Sequence, residues 1–325
     1  MLLLTEHDVR LLLSMDDLIE AMHAALAEFS SGRVQQPLRT VLEVGDERAF
    51  FGVMPAFIPK NGALGTKLVT VYGDNVKIGL PTHLATIVLL DSTTGELLAL
   101  MDGRYITEAR TAAVSAVSAK LLARDDASVL AIVGSGVQAR SHLTALSRVR
   151  SLRDVRVWSP NVERRTAFAR DMRDDVPAPI RPVSSAREAV DDADLIVLAT
   201  SAREPVVRSE WIADGAHIAA VGACRPDQRE MDGALVGRAR VFVDSRTGAL
   251  AEAGDLVLAA REGQFDAARI AGELGELASG AVAGRRAANE VTLFKSLGMA
   301  VEDVAAAHLA YARATERGLG RGIAL

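Results

Sequence analysis

A glycine-rich turn follows a short apolar run near the middle of the chain. The run covers residues 129–133 (VLAIV), and the turn at residues 134–139 (GSGVQA) leads into a segment with helical periodicity. Gly134 permits a tight turn, Gly136 lets the backbone approach a pyrophosphate, and Ala139 allows close packing of the following helix. A plain tight turn would fit the same spacing, but the position between a buried strand and a helix favours a dinucleotide site. The expected cofactor contacts of this turn are Gly134, Gly136, Val137 and Gln138.

The residues after the next apolar run indicate which dinucleotide would bind. Sites that prefer NAD usually carry Asp or Glu at this point, where it accepts hydrogen bonds from the ribose hydroxyls. This chain has Ser159 and Asn161 there, with Arg164 and Arg165 close by. Because no carboxylate would repel a phosphate and guanidinium groups can bind one, the sequence favours NADP(H), with NAD(H) as the alternative. The same arginines would also fit the solvated face of a helix. The expected contacts are Ser159, Asn161 and Arg164.

Two later turns should border the nicotinamide, because ligands of such sheets gather beyond the carboxyl ends of the strands. Thr200 and Ser201 follow one apolar run, and Gly222 follows Val221 at the end of the next. Cys224 lies in the second of these turns. It could be an inert side chain that lines the crevice or a thiol near the substrate.

Three basic residues stand apart from any charged run. Arg39 lies in PLRT, Lys67 in GTKLV and Arg110 in EARTAA. If they converge, they could hold an α-carboxylate, the guanidinium groups through paired hydrogen bonds and the ammonium as a movable donor. By pattern alone, three solvated surface cations remain the simpler interpretation.

The six histidines show no metal-ligand spacing and no supporting carboxylate cluster, so we expect no metal site. His83 alone has a site-like setting, since it follows Pro81 and Thr82 and precedes an apolar run. A structural histidine with satisfied hydrogen bonds fits that pattern as well.

The periodicity of the first half predicts a helix, then mostly antiparallel strands, then a second helix. An amphipathic helix over residues 16–30 is expected to open the protein. The expected strands cover residues 40–44, 50–54, 65–72, 86–91 and 97–101. An alanine-rich helix over residues 107–122 would connect this half to the next.

From residue 128 onward, apolar strands alternate with helices, which indicates parallel pairing in a doubly wound sheet. The strands are expected at 129–133, 155–158, 195–199, 218–221 and 241–243, and the helices at 137–149, 163–172 and 186–190. The tail over 293–317 is expected to be helical and to pack on the first half. The predicted fold is α/β: a Rossmann-type doubly wound parallel sheet over residues 116–292, plus a second α+β domain built from residues 1–115 and 293–325.

The composition excludes several classes of protein. With 325 residues, 49% of them hydrophobic, the chain can bury a large core and suggests two domains. A net charge of -5 and a pI near 5.8 do not indicate the basic surface that binding to nucleic acid or anionic lipid requires. The longest apolar runs are strand-sized, far short of the roughly 20 residues that span a bilayer. A single cysteine and an N-terminus without signal-peptide features favour the cytoplasm.

Seven stretches spread over nearly the whole chain resemble the ornithine cyclodeaminase/mu-crystallin family, in the family's order. They are residues 52–56 (GVMPA), 65–69 (GTKLV), 81–86 (PTHLAT), 106–113, 134–139, 221–232 and 294–303 (FKSLGMAVED). The resemblance implies a homodimer, in which the domain built from both ends of the chain binds the substrate and forms the dimer. It also implies chemistry on the C–N bond of α-amino or α-imino acids.

The family pattern further implies roles for particular positions. Arg39, Lys67 and Arg110 match its substrate-carboxylate and catalytic positions. The other residues expected to bind the substrate are Met54, His83 and Cys224. The other residues expected to bind the cofactor are Arg110, Thr111, Lys295 and Ser296.

One departure from the pattern separates the branches of the family. Cyclodeaminases carry an aspartate where this chain has Cys224, and a neutral thiol is a poor substitute for that base. Asp227 lies three positions on, so a shifted alignment would restore the role, but the segment more closely resembles the mu-crystallin, ketimine-reductase side. We therefore expect an NAD(P)H-dependent reductase of small α-imino acids. The alternatives are an ornithine cyclodeaminase, an alanine-type amino-acid dehydrogenase, and a non-catalytic mu-crystallin-like protein that binds a small ligand.

Overall fold

The structure is a computed structural model that describes residues 1–45 and 49–324. It divides into two compact units, Met1–Arg110 with Gly298–Leu325, and Thr111–Leu297. Both breaks lie five residues from the expected ones, since the first unit ends at 110 rather than 115 and resumes at 298 rather than 293. The first break falls inside one continuous helix, which is why no change in composition marks it.

Short strands and helices of up to 19 residues make up both units. The strands are β1 (Leu2–Leu4), β2 (Thr40–Val44), β3 (Ala49–Ile58), β4 (Ala63–Val71), β5 (His83–Asp91), β6 (Leu97–Asp102), β7 (Val129–Val133), β8 (Asp154–Trp158), β9 (Ile180–Pro182), β10 (Leu195–Leu198), β11 (His217–Ala220), β12 (Arg240–Val243), β13 (Ile270–Glu273), β14 (Thr292–Lys295) and β15 (Arg321–Gly322). The helices are α1 (Glu6–Leu12), α2 (Met15–Ser30), α3 (Arg104–Leu122), α4 (Val137–Val149), α5 (Val162–Asp171), α6 (Ala186–Val190), α7 (Gly233–Arg238), α8 (Arg246–Glu252), α9 (Gly254–Arg261), α10 (Leu274–Ala278) and α11 (Ala300–Arg317).

The first unit is built on a seven-stranded sheet in the order β15-β1-β6-β5-β4-β3-β2. Strands β2 to β6 pair antiparallel with their neighbours, while β1 runs parallel to β6. The expected mostly antiparallel sheet is therefore confirmed. Helix α11 packs on β3, β4 and α2, and its buried alanines, such as Ala307 and Ala310, allow that close approach.

The second unit is an eight-stranded parallel sheet in the order β13-β12-β14-β11-β10-β7-β8-β9. All residues of β7, β10, β11 and β14 are buried, because helices cover both faces of the sheet. The strand order reverses between β7 and β10, and doubly wound sheets bind their ligands at such a point. The expected doubly wound fold is confirmed.

Two expectations were wrong near the ends of the chain. The helix expected over residues 293–317 begins only at Ala300, and Thr292–Lys295 forms β14 in the interior of the parallel sheet. A run of four residues is too short for its periodicity to distinguish a strand from a helix. Gly298, with a positive φ of 78°, separates the strand from the helix. The amphipathic helix α2 does not open the protein, because β1 and α1 precede it.

Candidate active site

Two buried cations of the first unit share one aspartate. Lys67 lies on β4, Arg110 on α3 and Asp303 in the first turn of α11. Lys67 Nζ is 2.6 Å from Asp303 Oδ2, and Arg110 Nε donates to Asp303 Oδ1 over 2.8 Å. Arg110 Nη1 also donates to Glu302 Oε2 over 2.5 Å. Lys67 is 2% exposed, Arg110 3% and both acids 0%, so these cations are not the solvated surface groups that the pattern alone favoured.

The start of α11 positions both acids. Glu302 is the third residue of the helix, and its Oε2 accepts a hydrogen bond from the N–H of the N-cap residue Met299 over 3.2 Å. Acidic side chains are stabilised at this end of a helix by its exposed N–H groups. A Cβ atom on the preceding Gly298 would lie 2.7 Å from Arg110 Nη1. Glycine is therefore needed here both for the positive φ and for the approach of the guanidinium.

The electrostatics of this cluster favour a labile proton on Lys67. Burial lowers the pKa of Lys67 to about 8, although the nearby Asp303 carboxylate opposes the shift. Burial alone would raise the pKa of Asp303, but Arg110 and Lys67 outweigh it, so that pKa is lowered. At neutral pH the cluster thus holds a carboxylate, a guanidinium and an ammonium. An ammonium with a pKa near the working pH can bind an anion and also transfer its proton.

The sheet register places other expected residues on the same face as Lys67. Met54 pairs with Lys67 across β3 and β4, and His83 pairs with Val71, four positions along β4. Residues two and four apart on a strand share a face. Extending the pairing of β2 with β3 puts Arg39, which directly precedes β2, opposite Met54. Burial and the charge of Lys67 lower the pKa of His83 to about 4, so its imidazole is neutral at pH 7.

Three residues in or next to this cluster were not singled out from the sequence. Thr107 Oγ1 lies 3.5 Å from Lys67 Nζ and donates to the Gly103 carbonyl over 2.7 Å. Glu302 and Asp303 are the others. The available signal was two adjacent acids in the first turn of α11. That signal is weak, because acidic residues also stabilise ordinary helix ends.

In the second unit the glycine turn connects β7 to α4, as expected. Gly134 has a φ of +126°, and a Cβ there would lie 2.4 Å from the Ala199 carbonyl at the end of β10. Gly136 is the N-cap of α4, and no heavy atom lies within 4 Å of the position its Cβ would take. Gln138 Oε1 is buried and accepts no hydrogen bond from the described residues. The open turn presents the backbone N–H groups of a helix N-terminus, and these donors suit a pyrophosphate.

The turn after β8 is fixed by its own hydrogen bonds. The Ser159 hydroxyl receives a bond from Ser135 Oγ over 2.9 Å and donates to the Asn161 carbonyl over 3.2 Å. Asn161 caps α5 by accepting from the Arg164 N–H over 2.8 Å. Arg165 Nη1 donates to the Ser159 carbonyl over 2.7 Å, whereas Arg164 is exposed. Arg165 thus supports the turn, and Arg164 presents its side chain to solvent.

The turns after β10 and β11 carry the residues expected near the nicotinamide. Ser201 is exposed, Thr200 is half-buried and Val221 is buried. Cys224 is half-buried, and its Sγ donates to the Val221 carbonyl over 3.4 Å. The Asp227 side chain is 62% exposed and lies 3.8 Å from Arg203. It therefore belongs to a solvated ion pair and does not have the buried setting expected of a catalytic base.

Two other expected cofactor residues bind buried acids of the second unit. Lys295 Nζ is 3.1 Å from Asp255 Oδ2, and Ser296 Oγ donates to Asp244 Oδ2 over 3.4 Å. Burial would lower the pKa of Lys295, but Asp255, Cys224 and Glu230 together raise it. Their role toward the cofactor, like that of the buried Thr111, stays a prediction.

Residues 1–45 and 49–324 contain neither a cluster of metal-ligating side chains nor a helix that could span a membrane. No group of three or more His, Cys, Asp or Glu side chains there could hold a metal ion. No helix in the same residues is both long and apolar enough to cross a membrane.

Comparisons with known proteins match almost the full length of the chain. The family model of the ornithine cyclodeaminase/mu-crystallin family matches residues 1–318. Ketimine reductase mu-crystallin of Mus musculus is 46% identical over 297 residues, which cover 90% of this chain and 91% of the mouse protein. The structure of Thermococcus litoralis Delta(1)-pyrroline-2-carboxylate reductase in complex with NADH and L-proline has a TM-score of 0.97 at 42% identity, covering 99% of this chain and 100% of that one. An archaeal alanine dehydrogenase dimer with bound NAD has a TM-score of 0.94 at 32% identity, covering 99% and 98%.

Proposed function

Because this chain belongs to the ornithine cyclodeaminase/mu-crystallin family, we propose that it is an NAD(P)H-dependent reductase of small α-imino acids. Two relatives that match at least 90% of this chain are named as reductases of a ketimine or of a pyrroline carboxylate. The observation that carries the proposal is the buried cluster of Lys67, Arg110 and Asp303. It combines a guanidinium suited to a carboxylate with an ammonium whose proton is labile.

Arg39 and Arg110 bind the carboxylate of the substrate. Glu302 and Asp303 fix the Arg110 guanidinium through Nη1 and Nε, so its orientation is set before the substrate arrives. A preorganised guanidinium loses less conformational freedom when it forms paired hydrogen bonds with a carboxylate.

Lys67 holds the proton that the reaction requires. Transfer of this proton from Nζ to the imine nitrogen makes the iminium form, in which positive charge draws hydride to the carbon. Met54 and the neutral His83 line the same face of the sheet, and neither adds a charge that would repel an iminium. The product is an L-amino acid or a cyclic imino acid.

The second unit holds the nicotinamide dinucleotide. The turn at Gly134 and Gly136 receives the pyrophosphate, and the reduced nicotinamide supplies the hydride when bound. The remaining proposed cofactor contacts are Arg110, Thr111, Val137, Gln138, Ser159, Asn161, Arg164, Thr200, Ser201, Val221, Lys295 and Ser296.

We favour NADP(H) because Ser159 stands where an acid would repel a 2′-phosphate and Arg164 is exposed beside it. The NADH bound to the Thermococcus litoralis relative keeps NAD(H) as the alternative. Ser159→Asp should raise the ratio of kcat/KM for NADH to that for NADPH, and Arg164→Ala should raise it without new repulsion. An unchanged ratio in both variants would reject this preference.

We further propose a cytoplasmic homodimer that forms through the first unit. Strand β2 is an edge strand, and its Val41 and Leu42 side chains are 49% and 55% exposed. An exposed apolar edge strand is a ready template for pairing with another chain. The alanine dehydrogenase relative is a dimer, and a single cysteine suits a reducing compartment. Light scattering of the purified protein should give twice the chain mass, and Leu42→Glu should reduce it.

A substrate panel tests the reductase proposal. The pure protein is mixed with NADPH or NADH and with cyclic imines, or with keto acids plus ammonia, and absorbance follows the reduced cofactor. We expect oxidation with at least one imino acid. No oxidation with any of them rejects the proposal, and release of ammonia from ornithine without net cofactor consumption would identify a cyclodeaminase.

A further inference from the structure

One buried carboxylate of the second unit holds two turns that follow neighbouring strands. Glu230 is 0% exposed. Its Oε1 accepts hydrogen bonds from the Thr200 N–H over 2.6 Å and from Thr200 Oγ1 over 2.8 Å, and its Oε2 accepts one from the Gly222 N–H over 2.8 Å. Thr200 follows β10 and Gly222 follows β11, which pairs with β10. Both carboxylate oxygens therefore fix the distance between the ends of two strands.

The approach at Gly222 leaves no room for a side chain. A Cβ atom there would lie 2.1 Å from the Thr200 carbonyl and 2.4 Å from Glu230 Oε1. The turn that begins at Gly222 continues to Cys224. Close packing against the Thr200 carbonyl and the hydrogen bond to Glu230 together fix the backbone position at the start of this turn.

A second layer of charge fixes Glu230 itself. Its N–H donates to Asp255 Oδ1 over 2.7 Å, and Asp255 Oδ2 is 3.1 Å from Lys295 Nζ at the end of β14. Strand β14 pairs with β11, so the ends of β10, β11 and β14 share one buried network. Burial of these charges is costly unless each is paired, and an apolar contact would hold the strands at lower cost. Stability alone therefore does not account for the network, and accurate placement of the strand ends is a role that it would fit.

The turn at Thr200 also adjoins the phosphate turn. The carbonyl of Ala199, the residue before Thr200, lies where a Cβ of Gly134 would collide with it, at 2.4 Å. The strand order reverses between β7 and β10, which end at these two turns. Ligands of doubly wound sheets bind at this point, beyond the carboxyl ends of the strands.

We propose that Glu230 is a positioning residue for the nicotinamide end of the cofactor site, because it sets the spacing of the Thr200 and Gly222 turns. This role rests on the proposed dinucleotide function. The side-chain hydrogen bonds of Glu230 go to Thr200 and Gly222 and not to the pyrophosphate turn, so it acts on placement of the reacting end and not on overall affinity. A misplacement near 1 Å at a reacting centre can slow hydride transfer by about 100-fold.

Glu230→Gln tests the role, with Asp194→Asn as the matched control. Glutamine keeps the size of the side chain but sets an amide N–H₂ against at least one of the N–H donors. Asp194 likewise joins two strand starts, accepting from the Ser128 and Val129 N–H groups over 2.9 and 3.0 Å, but at the amino edge of the same sheet. Three measurements are made on both variants: amide hydrogen exchange without cofactor, the Kd for NADPH, and kcat with its isotope effect from deuterated NADPH.

We expect Glu230→Gln to accelerate exchange at the Thr200 and Gly222 amides in the cofactor-free protein. Its Kd for NADPH should stay within about threefold, while kcat falls about 10- to 100-fold and the isotope effect on kcat rises. Asp194→Asn should accelerate exchange only at the amino edge and leave kcat unchanged. Unchanged exchange at the two turns, or unchanged kcat in an active protein, overturns the inference.

The two proposals fail in different ways. If the wild-type protein oxidises no NADPH with any imine, the reductase proposal fails, and the exchange and Kd measurements alone decide the role of Glu230. If Glu230→Gln does not fold, Thr200→Val removes one donor to the carboxylate, with Thr200→Ser as its conservative partner. Faster exchange at the Gly222 amide together with a lower kcat in Thr200→Val, both restored in Thr200→Ser, supports the role, because a direct contact of Thr200 with the cofactor would leave exchange at Gly222 unchanged. Unchanged exchange at Gly222, or equal kcat in the two variants, overturns it.

Discussion

Replacing Asp303 with asparagine removes the charge that holds the buried cations in place. The substitution keeps the shape but deletes a negative charge 2.6 Å from Lys67 Nζ and 2.8 Å from Arg110 Nε. Loss of one partner from a buried ion pair destabilises a protein by about 3–5 kcal/mol, because the remaining charge stays unpaired. Glu302 still pairs with Arg110, so we expect the lower end, about 3 kcal/mol, and a Tm lower by roughly 6 °C.

The same variant should change the pH dependence of turnover. Burial lowers the pKa of Lys67 to about 8, and Asp303 is the main group that opposes this shift. Loss of the Asp303 charge should therefore lower the pKa of Lys67 further. Less ammonium then remains at pH 7, and a charge-assisted hydrogen bond is lost. We expect kcat/KM for an imino acid to fall by about 10- to 100-fold at pH 8. Activity should recover partly as the pH is lowered, which a purely structural defect would not produce.

Asp17→Asn is the control for this experiment. Asp17 also lies in the first turn of a helix and pairs with an arginine, Arg313, at 2.7 Å, but its side chain is 39% exposed. Exposed pairs contribute about 0–1 kcal/mol, so both stability and the pH profile should stay close to wild type. The rate of NADPH oxidation across a pH series and the Tm from thermal unfolding are measured for the wild type, Asp303→Asn and Asp17→Asn. Wild-type pH dependence in Asp303→Asn, or equal losses in both variants, would refute the reasoning.

Three further outcomes follow from individual side chains. Lys67→Met should abolish turnover with the Kd for NADPH nearly unchanged, as measured by fluorescence titration, and retained turnover contradicts the role of its proton. Gly298→Ala should lower Tm and raise KM for the imino acid, because the new methyl group lies 2.7 Å from a guanidinium nitrogen at a positive φ; thermal unfolding and steady-state kinetics check this. Burial lowers the pKa of His142 to about 4 and that of His217 to about 3, so both stay neutral in the folded protein at pH 5 to 7. In the unfolded chain both regain the usual pKa of 6.5 and take up a proton below that pH. Their contribution is fully present above pH 6.5 and is lost as the pH falls toward the folded values, by about 3 kcal/mol for His142 alone. Denaturant unfolding between pH 7 and pH 4 should show this loss, and His142→Gln should reduce it; identical slopes in both proteins would contradict it.

The parts of the fold that the sequence predicted are those with a local physical signature. Strand β7 and helix α4 were expected with the bounds that they have, because an uninterrupted apolar run meets glycines whose geometry leaves little choice. Gly134 illustrates this, since its φ and its contact with Ala199 exclude any side chain. Strand β14 was missed because four residues carry no readable period, and its place in the sheet depends on β11 and β12, far away in sequence.

The candidate site divides in the same way. Lys67 and Arg110 were chosen because cations among small and apolar residues are unusual, but the pattern could not show that they converge. Their partner Asp303 lies 193 residues from Arg110, and an acid in the first turn of a helix has an ordinary explanation. Glu230 was missed for the same reason, because a single charged residue in a loop shows no sign of burial until the strands around it are assembled.

Deuterium transfer tests the central claim most directly. The protein is incubated with Δ1-pyrroline-2-carboxylate or another imino acid that it accepts, together with NADPH carrying deuterium at the transferable position of the ring. Mass spectrometry then measures the isotope in the amino-acid product. A reductase of α-imino acids places one deuterium on the α-carbon in proportion to the cofactor oxidised. A product without deuterium at that carbon, or cofactor oxidation without an amino-acid product, would contradict the proposed reaction.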